Sequence, residues 1–116
     1  MSQSISVSIN GAFPDYGIAF SAEPSPVKQG KTETITYTMI SRGFRIVGIN
    51  VQRHPFDTSD QLTWAIPADQ QSLILTDVNA DPKQSIFCFE IVFSDTYGNQ
   101  FSSKDPQVEN DGIPPT

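Results

Sequence analysis

Apolar side chains recur at every second position along most of this chain, and that period leaves little room for anything but β-strands. Residues 85–94 (SIFCFEIVFS) put Phe87, Phe89, Ile91 and Phe93 on one face and Cys88, Glu90 and Val92 on the other. Residues 3–10 place Ile5, Val7 and Ile9 opposite serines, and residues 16–22 align Tyr16, Ile18 and Phe20. Residues 32–40 set Ile35, Tyr37 and Met39 against threonines. Residues 44–53 change phase: Phe44 and Ile46 share one parity, Val47, Ile49 and Val51 the other. A β-bulge near Ile46–Gly48 produces such a slip; a strand covered on both faces is the alternative. Residues 62–66, with Trp64, and then 72–78 and 99–103 complete about eight strands at roughly 8–12-residue spacing, the pattern of a β-sandwich.

The breaks between these runs are turn-like. Asn10-Gly11, Gly30, Arg42-Gly43 and Tyr97-Gly98 supply turns, and the chain's nine prolines and seven glycines argue against long helices. At 116 residues the chain reads as one domain, a sandwich over 1–104 followed by an acidic, Pro-rich exit over 105–116. The expected core is Ile5, Val7, Ile9, Ile18, Phe20, Ile35, Tyr37, Met39, Ile49, Val51, Trp64, Leu73, Leu75, Phe87, Phe89, Ile91, Phe93 and Phe101. At about 1.5–3 kcal/mol per fully buried large side chain, that core folds without a metal or disulfide.

Charge narrows the partners. The net charge is −6, with no Lys/Arg cluster, which disfavours nucleic acid and anionic membrane surfaces. No apolar run approaches the roughly 20 residues of a membrane span. The N-terminus MSQSISVSIN lacks a basic start and an apolar h-region, and Cys88 is the only cysteine. These features lead to the expectation of a soluble, cytoplasmic protein.

Several residues invite chemistry. Asp77, Asn79 and Asp81 have the spacing that opens a calcium loop, but Pro82 and Cys88 stand where such a loop needs Gly and a carboxylate. A looser calcium site remains open beside the plainer reading, a turn in which Asp and Asn bond their own backbone. Asp105, Glu109, Asn110 and Asp111 form a second acidic group, read either as oxygen ligands or as charges that protect a strand edge. His54 is the only histidine, and no nucleophile set can be argued from its spacing. Cys88 lies in an apolar strand and reads as a packed thiol. Trp64, Tyr16, Tyr97 and Phe56 could form an aromatic face for a sugar or a protein. Of these, Trp64 is expected in the core and Phe56 in an exposed loop.

One stretch resembles a known family. "FEIVFSDTYGNQFSSKDP" followed by "QVEND", within Phe87 to Gly112, resembles the end of the small bacterial proteins grouped as the DP-EP family. It is less closely similar to the inclusion-body protein family that includes PixA, through Asp105, Pro106 and Val108. Upstream, "SPVKQGKTETITYTM" resembles the second strand of many immunoglobulin-like domains. The resemblance implies an immunoglobulin-like sandwich and brings no catalytic residues with it. Asp105-Pro106 also has a purely structural reading, because Pro ends ladder donation and Asp bonds nearby N–H groups.

The sequence therefore leads to an all-β, immunoglobulin-like antiparallel β-sandwich of seven to nine strands. The expected function is a non-enzymatic interaction or structural module that self-associates and needs no cofactor. The alternatives are a carbohydrate-binding module, with or without calcium at Asp77, Asn79 and Asp81, and a small hydrolase using His54. Phe56, Trp64, Asp105 and Glu109 are the expected contact residues.

Overall fold

The computed structural model describes residues 2–22, 24, 27, 30–53, 62–78, 85–103 and 107–110, with backbone alone at 52–53, 85–88 and 107–110. The described residues form nine strands and no helix: β1 (Ser2–Asn10), β2 (Gly17–Phe20), β3 (Thr32–Met39), β4 (Arg45–Arg53), β5 (Leu62–Ala65), β6 (Ser72–Val78), β7 (Ser85–Ser94), β8 (Gln100–Ser102) and β9 (Gln107–Asn110). Eight of these coincide with the alternating runs. The ninth, β9, pairs with the start of β7, so the Pro-rich exit carries a strand of its own. No helix is long and apolar enough to cross a membrane among the described residues.

The strands make two sheets, ordered β2-β1-β3-β6-β5 and β4-β7-β8, with β9 also on β7. All pairs are antiparallel except β1 with β3, which run parallel from Ser2↔Thr34 to Val7↔Met39. A parallel pair needs a long connection, and here β2 and residues 21–31 provide it. The phase change in β4 is a bulge. Ile46 pairs with Phe93 and Gly48 with Val92, leaving Val47 as the extra residue. The bulge lets Ile46 on one parity and Ile49 and Val51 on the other all turn toward the core.

Both sheets contribute to a single apolar cluster. β1 gives Ile5, Val7 and Ile9, β3 gives Ile35, Tyr37 and Met39, β6 gives Leu73 and Leu75, and β7 gives Phe89, Ile91 and Phe93. Tyr37 meets Phe20 of its own sheet at 5.6 Å and Phe89 of the other sheet at 5.9 Å between centroids, both edge to face, so its ring links the layers. Val27 and Leu62 are fully enclosed although the alternation did not single them out. Trp64 corrects the sequence reading. It shares the inward parity of Leu62 and pairs with Leu75, yet it is 42% exposed, because β5 is the last strand of its sheet. Parity directs a side chain toward the core side, but a neighbour must still cover it.

Tyr37 is wholly buried, and its hydroxyl has no hydrogen-bond partner. Burial pushes its ionisation far up, so it stays neutral. An unpaired buried hydroxyl costs about 1–3 kcal/mol. Tyr37→Phe is therefore expected to leave stability unchanged or raise it by about 1 kcal/mol in urea denaturation. Tyr37→Ala, which also removes the ring contacts with Phe20 and, across the sheets, with Phe89, is expected to cost about 3–5 kcal/mol.

Candidate functional site

β1, β3, β5 and β7 end, and β2, β4, β6 and β8 begin, at one end of the sandwich, because of the pairing directions. Four connections meet there: 11–16, 40–44, 66–71 and 95–99. Asp95 is their hub. It follows the last residue of β7 and is only 3% exposed.

The turn after β7 forms because Asp95 is followed by Thr96, Tyr97 and Gly98. The Asp95 N–H donates to the Asn99 carbonyl at 3.1 Å, and the Gly98 N–H donates to the Asp95 carbonyl at 3.2 Å. Gly98 has φ +85° with no atom crowding a Cβ position, so conformation rather than space requires glycine there. The carboxylate finishes the turn. Oδ1 accepts the Tyr97 and Asn99 backbone N–H groups, each at 2.9 Å. Oδ2 accepts the Asn99 side-chain amide and the Tyr16 hydroxyl, each at 2.9 Å.

Burial pushes the Asp95 carboxyl up, but the donors from Asn99, Tyr16 and Tyr97 outweigh it and hold its pKa below the usual range. Burial first, and then the hydrogen bond to Asp95, pushes the Tyr16 hydroxyl up, so it remains a neutral donor. A carboxylate offers about four lone-pair sites. Four donors occupy them here. Asp95 is thus a positioning group, with nothing left for a cation or a reacting proton.

The group it positions is aromatic. Tyr16 lies 4.5 Å from Phe101, 5.3 Å from Phe44 and 6.4 Å from Phe13, centroid to centroid. Phe101 stacks on Phe93 at 5.6 Å, which ties the cluster to the core. At its outer rim Phe13 is 51% exposed and Tyr97 is 88% exposed. Neighbouring loops brace this end. The Gln70 carbonyl accepts the Ile46 N–H at 2.8 Å, and the Gln71 carbonyl accepts the Met39 N–H at 2.7 Å. The Gln71 amide donates to the Phe44 carbonyl at 3.0 Å. Two aromatic rings, one half and one largely exposed, therefore stand on loops held by hydrogen bonds. Such an arrangement can stack a planar or apolar partner with little loss of entropy.

Tyr16 and Tyr97, both named from the sequence as aromatic candidates, come together here, whereas Trp64 lies on β5, at the edge of the sheet opposite β2. Asp77 belongs to β6, buried on the core side and flanked by Glu33 on β3 and Leu62 on β5. Asn79 and Asp81 lie outside the described residues, as do Phe56, His54 and Asp105. Glu109 sits in β9 opposite Ile86, with its side chain undescribed, and the Cys88 side chain is likewise undescribed. Among the described residues no three His, Cys, Asp or Glu side chains group so as to hold a metal ion. Sequence reasoning missed Asp95 and Phe13. The signal for Asp95 was its place ahead of a Tyr-Gly turn, where Asp side chains bond the backbone two residues on.

Among curated proteins, none matches the chain. The family model described as the DP-EP family matches residues 3–112.

The hub carries a pH signature. The folded pKa of Asp95 is lowered, so its stabilisation is fully present above the unfolded carboxylate range, near about 3.9. It is lost as pH falls through the lowered folded value. Asp95→Asn is expected to lower Tm at pH 7 and to flatten the loss of Tm below about pH 4, followed by circular dichroism. An acid limb identical in the two proteins would count against this linkage.

Proposed function

The chain belongs to the DP-EP family, and on that footing we propose that it is a non-enzymatic interaction module, immunoglobulin-like in its sandwich, that works by contact with protein surfaces including its own. The observation that carries this reading is the pinned display of Tyr97. Tyr97 is left 88% exposed at a turn tip, and the turn beneath it has both carboxylate oxygens of Asp95 committed to holding its shape. Exposed aromatics on a rigid base supply contact energy at low entropic cost. Phe13 is also exposed at this end of the sandwich, and Trp64 on the β5 edge.

The strand order supports the immunoglobulin-like description. β1-β3-β6-β5 faces β4-β7-β8 as the four- and three-stranded layers do in such domains, although β1 runs parallel to β3 where those sheets are antiparallel. The reading carries with it a bacterial, cytoplasmic setting, supported by the single cysteine and the acidic balance of the chain.

A second reading is favoured by the same rings. Asp15 and Gln100, near Phe13 and Tyr97 along the chain, are exposed as well, and an exposed aromatic near polar groups also suits a sugar ring. The calcium-dependent form of that reading, through Asp77, Asn79 and Asp81, loses support because Asp77 is buried within β6 between Glu33 and Leu62.

Light scattering after gel filtration, in EDTA, tests the main reading. A mass that rises with concentration above the 12.8 kDa of one chain is expected. Tyr97→Ser is expected to weaken binding of any partner at the loop end without lowering Tm, since its side chain packs on little. A strict monomer that retains oligosaccharides on affinity electrophoresis, and loses them in Tyr97→Ser, would replace this reading with the second.

A further inference from the structure

The end of β1 carries chemistry that the aromatic display does not use. Asn10, Asn50 and Asn99 are the asparagines whose side chains are described, and of these only Asn10 is followed by glycine. Asn10 and Gly11 are both exposed. Asn10 is the last residue of β1 and pairs with Gly17, and Gly11 opens the 11–16 loop that carries Phe13 and Tyr16. The fold has two reasons to keep glycine at position 11. Its φ is +88°, in the left-handed region. A Cβ there would also stand 2.8 Å from the Asp15 carbonyl oxygen, closer than side chains approach backbone. The same missing side chain leaves the Gly11 nitrogen without steric cover next to the Asn10 amide.

We propose that Asn10-Gly11 is a self-modification site, at which the folded chain converts Asn10 to aspartate and isoaspartate with water as the only co-reactant. The Gly11 backbone nitrogen bonds to Asn10 Cγ and gives up its proton. The Cγ–Nδ2 bond breaks, and Nδ2 leaves with that proton as ammonia. The product is a cyclic succinimide, and no group is oxidised or reduced. Water then opens one of its two carbonyl–nitrogen bonds. Opening at the side-chain carbonyl restores a normal main chain with aspartate at position 10. Opening at the main-chain carbonyl routes the chain through Cβ and Cγ, one carbon longer. The reacting groups are neighbours in the chain, so their effective concentration is high and rotation of the backbone into the closing geometry limits the rate.

The structure ranks the three asparagines by that rotation. At Asn10 it disturbs one terminal pair of the β1–β2 ladder, and such ends open at low free energy. Asn50 lies inside β4, paired with Glu90, and is followed by the β-branched Val51. The Asn99 side-chain amide, the group that must leave, donates to Asp95 at 2.9 Å, and the Asn99 backbone N–H donates to the same carboxylate. Conversion at Asn10 reaches the loop end. It adds a negative charge ahead of a loop that already carries Asp15. The isoaspartyl form also inserts a main-chain carbon between the Asn10↔Gly17 pair and the segment whose Tyr16 hydroxyl Asp95 holds.

Peptide mapping by mass spectrometry, after the native protein has stood in mildly alkaline buffer, tests the site. The peptide holding Asn10 is expected to gain the small mass of the amide-to-acid change and to accept methyl groups from an isoaspartyl methyltransferase. Asn50 and Asn99 are expected to convert at least about tenfold more slowly. Asn10→Gln, whose longer side chain closes the ring less readily, is expected to stop the change and keep the native Tm. The isoaspartyl form, separated by ion exchange, is expected to melt below the fresh protein. If the native protein keeps the Asn10 amide while the urea-unfolded chain loses it, β1 protects the site and the proposal is overturned. Conversion of Asn50 or Asn99 as fast as Asn10 in the native protein overturns it as well. An isoaspartyl form with unchanged Tm overturns the effect on the loop end.

Discussion

The contact between β3 and β7 organises this molecule. Tyr37 on one sheet meets Phe89 on the other, and Ile35, Ile91 and Phe93 fill the space around them. Because strand side chains alternate, a one-residue slip in either strand would send every one of these groups to the wrong face. The remaining pairings keep that register. β4 satisfies it only through its bulge, which absorbs Val47 and returns both Ile46 and Ile49 to the core side. Even the unpaired Tyr37 hydroxyl is tolerated for the sake of the ring, whose edge-to-face contacts reach Phe20 and Phe89 together.

At the loop end, a different interaction does the ordering. There the chain leaves the ladders, and backbone groups must find other partners. Asp95 takes two N–H groups of its own turn and reaches Tyr16 from the loop ahead of β2, so one side chain joins segments 79 residues apart. Ser41 does a smaller version of the same work, bonding both the N–H and the carbonyl of Ile9. Ser103 accepts the Ile91 N–H just past β8. Small polar side chains thus extend the ladders where strands stop. The result is a hydrogen-bonded end on which Phe13 and Tyr97 are exposed and the buried Asp95 carboxylate has its acceptor sites filled.

Much of this was legible in the sequence. Eight of the strands follow from period-two alternation, the bulge is one of the two readings the change of phase in residues 44–53 allowed, and the turn at Tyr97-Gly98 follows from its composition. The aromatic candidates Tyr16 and Tyr97 could be named from residue type. Asp77 fell inside the strand read over 72–78, as β6 has it, but the spacing that made it a calcium candidate did not show that it is buried opposite Glu33. Trp64 shows the same limit. Its parity was right and its burial wrong, because alternation describes one strand while cover comes from another. Val27 and Leu62 show the converse, isolated apolar residues enclosed by neighbours distant in sequence.

By itself, then, the sequence determined the element type, the inward face of most strands and the acidic, helix-poor character of the chain. These depend on local sterics and on the two-residue repeat of a pleated backbone, which act within a few positions. The tertiary structure alone decided which strands are edges, that β1 runs parallel to β3, that Asp95 meets Tyr16, and that Trp64 stays at the rim. Each of these depends on which distant segment arrives alongside. That choice is made by the joint burial of both sheets, and no window of the chain contains it.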